Sequence, residues 1–173
     1  MRKRTFLLGF GVVAAGLLVA SFAIAGGGTK NFTTELNGYN EPPAVSTNGS
    51  GTFSATIDRE ADMITFELTY GGLNTDPLFA HIHLGQRNVN GGVSAFLCGG
   101  GGKPPCPPGA GDASATVTGT ITPADVIGPT GQGIAAGEFE ELVRAIRAGV
   151  TYANVHSSTQ PGGEIRGQIR PGR

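Results

Sequence analysis

Three histidines, His81, His83 and His156, are the only imidazoles in the chain, and their spacing decides whether they can act together. In Ala80-His81-Ile82-His83-Leu84 an extended backbone sends Ala80, Ile82 and Leu84 to one face and both imidazoles to the other. The same alternation in Tyr152-Ala153-Asn154-Val155-His156 turns Ala153 and Val155 to the core and Tyr152, Asn154 and His156 to the opposite side. If the two strands share a sheet, His156 stands beside the pair. Same-face residues along a strand are about 6 to 7 Å apart, and neighbouring strands about 4.8 Å. Three nitrogens meeting at one point describe a site for one copper or zinc ion, with a position left for water or substrate. The plainer alternative makes these histidines surface residues, or hydrogen-bond partners that hold the loop between residues 85 and 113.

Other constellations carry less. Glu164, Arg166 and Gln168 share one side of the last strand. There Glu164 either orients an imidazole or serves as a fourth ligand, with Asn154 and Arg166 in the same second layer. The simpler expectation for this row is a solvated face of ion pairs. Ser157 and Ser158 follow His156, but adjacency in sequence makes no triad, and no Gly-x-Ser-x-Gly elbow is present. The glycines between Gly131 and Gly137 lack both the spacing and the βαβ setting of a dinucleotide loop. Glu41-Pro42-Pro43 reads as a rigid extended link.

The elements that must position these residues are short. Period-two alternation marks strands over 31–38, 52–58, 64–70, 79–84, 93–98 and 113–121, and two more over 150–156 and 163–170. Thr122-Pro123-Ala124-Asp125 has the form of a helix start, one or two turns long. Between Glu138 and Ala148, Phe139, Leu142, Val143 and Ile146 recur at helical spacing, acids come early and arginines late, and Gly149 is the stop. Eight strands with one short helix inserted in a crossover predict an all-β fold, an antiparallel Greek-key β-sandwich.

Two cysteines, Cys98 and Cys106, flank a run of glycine, lysine and proline. A redox pair would show Cys-x-x-Cys in a βαβ context. A disulfide is therefore expected, and closing so small a ring contributes about 2.5 kcal/mol in the chain-entropy model.

The 173 residues open on Met1-Arg2-Lys3-Arg4, an uncharged stretch from Phe6 to Ala25, and Ala23-Ile24-Ala25, the form of a cleavable signal peptide over residues 1–25. An uncleaved anchor is the alternative, since the uncharged stretch is long enough to span a bilayer. Residues 26–173 are then one domain, placed outside the cytoplasm as a secreted, periplasmic or cell-surface protein, touching the membrane only if the leader stays. Cleavage leaves nine basic residues against 13 acidic ones, which argues against nucleic acid. The 30 glycines and 11 prolines approach the composition of disordered chains, yet ten of them fall between Gly99 and Gly111 and leave the flanking strands intact.

Several segments together resemble the CHRD domain, the module named after chordin. They are Tyr39-Asn40-Glu41-Pro42-Pro43, the glycine-rich Asn48 to Phe53, Tyr70-Gly71-Gly72-Leu73, and Ala80-His81-Ile82-His83 with Gly91-Gly92-Val93. Leu142 to Gly149, Tyr152 to His156 and Pro161 to Ile169 complete the set. The resemblance covers about Phe32 to Ile169 and departs at Asn40 and in the cysteine-bracketed loop. It implies an extracytoplasmic β-rich module and no activity, so an enzyme is the less favoured reading. A fainter similarity is to copper-zinc superoxide dismutase, from which a fourth ligand histidine and the zinc cluster are missing. Three functions follow as expectations: a module binding one copper or zinc ion, a copper-dependent redox enzyme, or a metal-free interaction module. The partner in each case is an unidentified extracytoplasmic protein or small ligand.

Overall fold

The computed structural model describes residues 30–172, so the expected signal peptide lies outside the described residues. The strands are β1 (Asn31–Asn37), β2 (Ser50–Asp58), β3 (Met63–Gly71), β4 (Pro77–Leu84), β5 (Gly92–Cys98), β6 (Ser114–Ile121), β7 (Thr151–Ser157), β8 (Ile165–Gln168) and the two-residue β9 (Arg170–Pro171). One α-helix, α1 (Phe139–Arg147), lies between β6 and β7. The Thr122-Pro123 start yields only a 3-10 turn, Pro123–Asp125.

All strand pairs are antiparallel, and they run as one path in the order β5-β4-β7-β8-β1-β2-β3-β6, with β9 against β1. The expected two sheets are thus joined, but thinly. Where β8 meets β1 a single pair, Asn37 with Arg166, carries the ladder. On either side lie four strands, and the two halves share one core. Phe32, Phe53, Phe66 and Leu68 reach it from one half, and Ile82, Ala95, Leu97 and Val155 from the other. The links β3 to β4, β5 to β6 and β6 to β7 each pass between halves, as Greek-key connections do. In the last of them α1 buries Phe139, Leu142, Val143 and Ile146, the residues its periodicity selects, and Gly149 ends it at φ 69°.

The halves differ in how their second face is treated. Along β2 and β3 buried and exposed positions alternate, with Ser54, Thr56, Thr65 and Glu67 turned to solvent. In β7 all seven residues are buried. The face of β4-β7-β8 opposite the core is covered by three loops, at 38–49, 85–91 and 158–163. Asn40 donates to the Arg166 carbonyl, Asn90 donates to the Pro42 carbonyl, and the His156 ring donates to the Pro161 carbonyl. An interior polar layer therefore replaces the outward surface that alternation alone predicts.

The row Glu164, Arg166 and Gln168 is corrected by this cover. Instead of a solvated line of ion pairs, Glu164 and Arg166 are 0% and 2% exposed. Glu164 Oε1 accepts from Thr47 Oγ1 and the Asn74 amide, both at 2.7 Å, and Oε2 accepts from Ser157 Oγ. The Arg166 guanidinium donates to the carbonyls of Gln86 (3.0 Å) and Val89 (2.8 Å). Glu41, expected in a mere link, is buried as well, and its Oε1 accepts from Asn154 Nδ2 at 2.6 Å. Gly163, at φ 126°, must be glycine because a Cβ there would stand 2.6 Å from that same oxygen.

Cys98 and Cys106 form a disulfide with Cα atoms 5.0 Å apart, inside the usual range. The loop it closes has further anchors. Tyr70 Oη donates to the Pro107 carbonyl, and the Asp76 carboxylate accepts from the amides of Gly109 and Ala110. Lys103 pairs with Asp125 at 2.6 Å.

Candidate metal centre

Register brings the histidines together. Across β4 and β7, His83 pairs with Tyr152, His81 with Asn154, and Phe79 with His156. His81 and His83 project from the same face of β4 by the two-residue repeat, and His156 falls one pair further along the neighbouring strand. The rings of His81 and His156 are 4.6 Å apart between centroids, and those of His81 and His83 4.9 Å. All three are buried, at 4%, 7% and 6% exposure. Side chains expected on an outward face are thus interior.

One potential ligand nitrogen from each histidine lies within 4.8 Å of the other two. His81 Nδ1 is 3.1 Å from His83 Nε2. Coordination at about 2 Å per bond needs separations of roughly 3 to 4 Å, so ring rotations of about 1 Å suffice.

The covering loops fix the tautomers. His83 Nδ1 donates to the Gly91 carbonyl at 2.9 Å, and His156 Nδ1 donates to the Pro161 carbonyl at 3.0 Å. Each neutral ring then keeps its proton on Nδ1 and its lone pair on Nε2, an outer-shell arrangement that prepares a ring to bind metal. His156 Nε2 is buried and has no hydrogen-bond partner. An unsatisfied interior acceptor costs about 1 to 3 kcal/mol, which an ion at this point would offset.

Electrostatics keep the rings neutral. Burial first, then repulsion from His156 and His83, lowers His81 to about 3. Burial lowers His83 to about 4 against the opposing Gly91 bond, and burial also lowers His156. At neutral pH no ring holds a second proton, and the one contested lone pair is that of His83 Nε2, which faces His81 Nδ1 at 3.1 Å. Aromatic rings wall the cluster: Phe79 lies 5.2 Å from both His81 and His156, and Phe96 meets His81 edge-on at 4.7 Å. Tyr152 stacks on His83 at 4.6 Å, and the Arg166 guanidinium carbon sits 3.3 Å above the Tyr152 ring.

Among the residues expected nearby, Asn154 faces this layer but bonds Glu41 and the Ile165 carbonyl. The Glu164 oxygens are engaged by Thr47, Asn74 and Ser157, and Arg166 stacks on Tyr152 while its charge adds to the lowering of His83. The set able to hold a metal among the described residues is the three histidines. Sequence reasoning missed Glu41 as a buried group. Its one signal was an acid in the middle of a motif that the resemblance had already picked out.

An antiparallel all-β module enclosing a neutral three-imidazole cluster is the class that fold and site define. The chain belongs to the CHRD domain family, whose model matches residues 32–169. No curated protein and no solved structure matches it. Among the described residues no helix is long and apolar enough to cross a membrane.

Proposed function

We propose that this chain is an exported CHRD module that holds one transition-metal ion, copper or zinc, through His81, His83 and His156, in a binding or sensing role. The observation that carries the reading is His156 Nε2, a buried lone pair without a partner beside two other imidazoles. A neutral donor set of three nitrogens, with no thiolate, suits copper or zinc better than magnesium or calcium, which prefer oxygen. Export is supported by the basic and apolar N-terminal pattern and by a disulfide, which persists in oxidising compartments. Protein loaded with copper or zinc and then dialysed should retain one equivalent by elemental analysis. The His81→Ala/His156→Ala variant, checked for folding by circular dichroism, should retain none. Equal retention by the folded variant overturns the reading.

A second reading has its own observation. The 3.1 Å contact between His81 Nδ1 and His83 Nε2 satisfies that pair without an ion, and His83 and His156 already tie down two loops. On this reading the module is metal-free and interacts through its loops, and added copper or zinc leaves the melting temperature unchanged.

A further inference from the structure

A second polar site lies on the far side of Arg166. A pocket of about 190 Å³ is lined by Arg87, Arg166 and Arg170 with Asn40, Asn88 and Gln168, and no carboxylate lines it. The ion pairs among the described residues are Arg59 with Glu140, Lys103 with Asp125, and Arg144 with Glu141, so none of the three guanidiniums has a counter-ion within 4.0 Å among those residues. Glu41, the acid that acts on Arg166, is bound to Asn154 and does not line the pocket. Three cations gathered without an anion repel one another, and the gathering is local, because the whole chain carries a net charge of −1.

Arg166 is also held ready. Its guanidinium is fixed by the Gln86 and Val89 carbonyls, by Asn90 Oδ1 at 3.3 Å and by the Tyr152 ring, whereas Arg87 and Arg170 are exposed at the mouth. Planar guanidiniums with forked N–H groups match tetrahedral oxyanions; Gln168 spends both amide donors on the Gly85 and Gly149 carbonyls and Asn40 spends one on the Arg166 carbonyl, which leaves Asn88 to add a neutral donor. The volume is below the roughly 300 to 1,000 Å³ of sites for drug-sized ligands, which favours a single small ion over a chain of anionic groups. We propose that this pocket binds one small tetrahedral oxyanion, phosphate or sulfate, independently of any metal at the histidines.

The test uses isotope-labelled, metal-free protein titrated with sodium phosphate or sodium sulfate at constant ionic strength set by chloride, followed by amide chemical shifts. The expected result is a saturable shift confined to residues around 87–88 and 168–170, absent with chloride alone. Arg87→Gln/Arg170→Gln should weaken the apparent affinity at least tenfold without changing the melting temperature, since both side chains are exposed. The single substitutions R87Q and R170Q should each give part of that loss. Shifts that fail to saturate, that chloride reproduces, or that survive intact in the folded double variant overturn the proposal.

Discussion

Tyr152 lies parallel to His83, with ring planes 2° apart and centroids 4.6 Å apart, and its hydroxyl accepts from the Gly91 amide at 3.1 Å. Gly91 in turn accepts from His83 Nδ1 through its carbonyl. One residue, Gly91, thus ties the stacked tyrosine to the proton of a candidate ligand. Tyr152→Phe keeps the stack and removes the oxygen. It should destabilise the protein by about 1 kcal/mol, and it should weaken zinc binding by roughly tenfold through a less constrained His83. Chemical denaturation and competitive zinc titration measure the two effects. A stability loss with unchanged zinc affinity would show that Gly91 does not orient the ring.

Metal should stabilise the fold by mass action. At free zinc or copper one hundred times the dissociation constant, the gain is about 2.7 kcal/mol. For a domain of this size that corresponds to a rise in melting temperature on the order of 5 to 10 °C. His156→Ala should abolish most of the rise. A variant that still shifts by the full amount places the ion elsewhere.

The pH dependence has two limbs of opposite sign. Burial pushes the Glu41 carboxyl up from 4.5 to about 7, against the Asn154 bond and the Arg166 charge. The folded state then binds the extra proton, so this group's stabilisation is full below pH 4.5 and is lost as pH rises through 7. The histidines run the other way. With folded values near 3 and 4 for His81 and His83 against 6.5 unfolded, stability falls as pH drops from 6.5 towards 3. Glu41→Gln should remove the first limb, by an amount on the order of a few kcal/mol at most, and leave metal-free protein whose stability rises steadily from pH 4 to 6.5. Urea midpoints across that range decide it. A rise between pH 4.5 and 6.5 no steeper in the variant than in the parent would assign the limb to another group.

Glu164 gathers three segments onto one carboxylate: Thr47, the Asn74 amide and Ser157. Replacing it by glutamine puts an amide where only acceptors fit and should cost about 3 kcal/mol or more, because hydrogen bonds to a charged acceptor are each worth about 1.5 to 3 kcal/mol. Hydrogen exchange should show the amides of 47, 74 and 157 opening together. A variant within about 0.5 kcal/mol of the parent would contradict that.

What local alternation could reveal was the core-facing half of the molecule. Ile64, Phe66 and Leu68, or Ala153 and Val155, declare their side through immediate neighbours, and the helix declares itself through Phe139, Leu142 and Ile146. The matching side of His81, His83 and His156 was legible for the same reason. The lid over them was not. Asn40 reaches Arg166 across 126 residues, and Glu41 reaches Asn154 across 113, so no window along the chain contains both partners. A strand buried on both faces, such as β7, carries the same period of two whether its polar side meets water or a hydrogen-bonded layer. Glu164 and Arg166 therefore looked like surface residues.

The ladder between β1 and β9 links Thr33 with Arg170 and Phe32 with Pro171, and the Gly172 amide donates to the Asn31 carbonyl at 2.9 Å. The first and last described strands are therefore bound side by side. A short glycine linker from 172 to 30 would make the domain topologically a ring, which could be reopened at the exposed turn around Arg59–Asp62 without parting any of the three histidines from its neighbours in sequence. Such a circular permutant would keep the same interior and present its new ends close to the old ones, because the Lys30 carbonyl accepts from the Ile57 amide just before that turn.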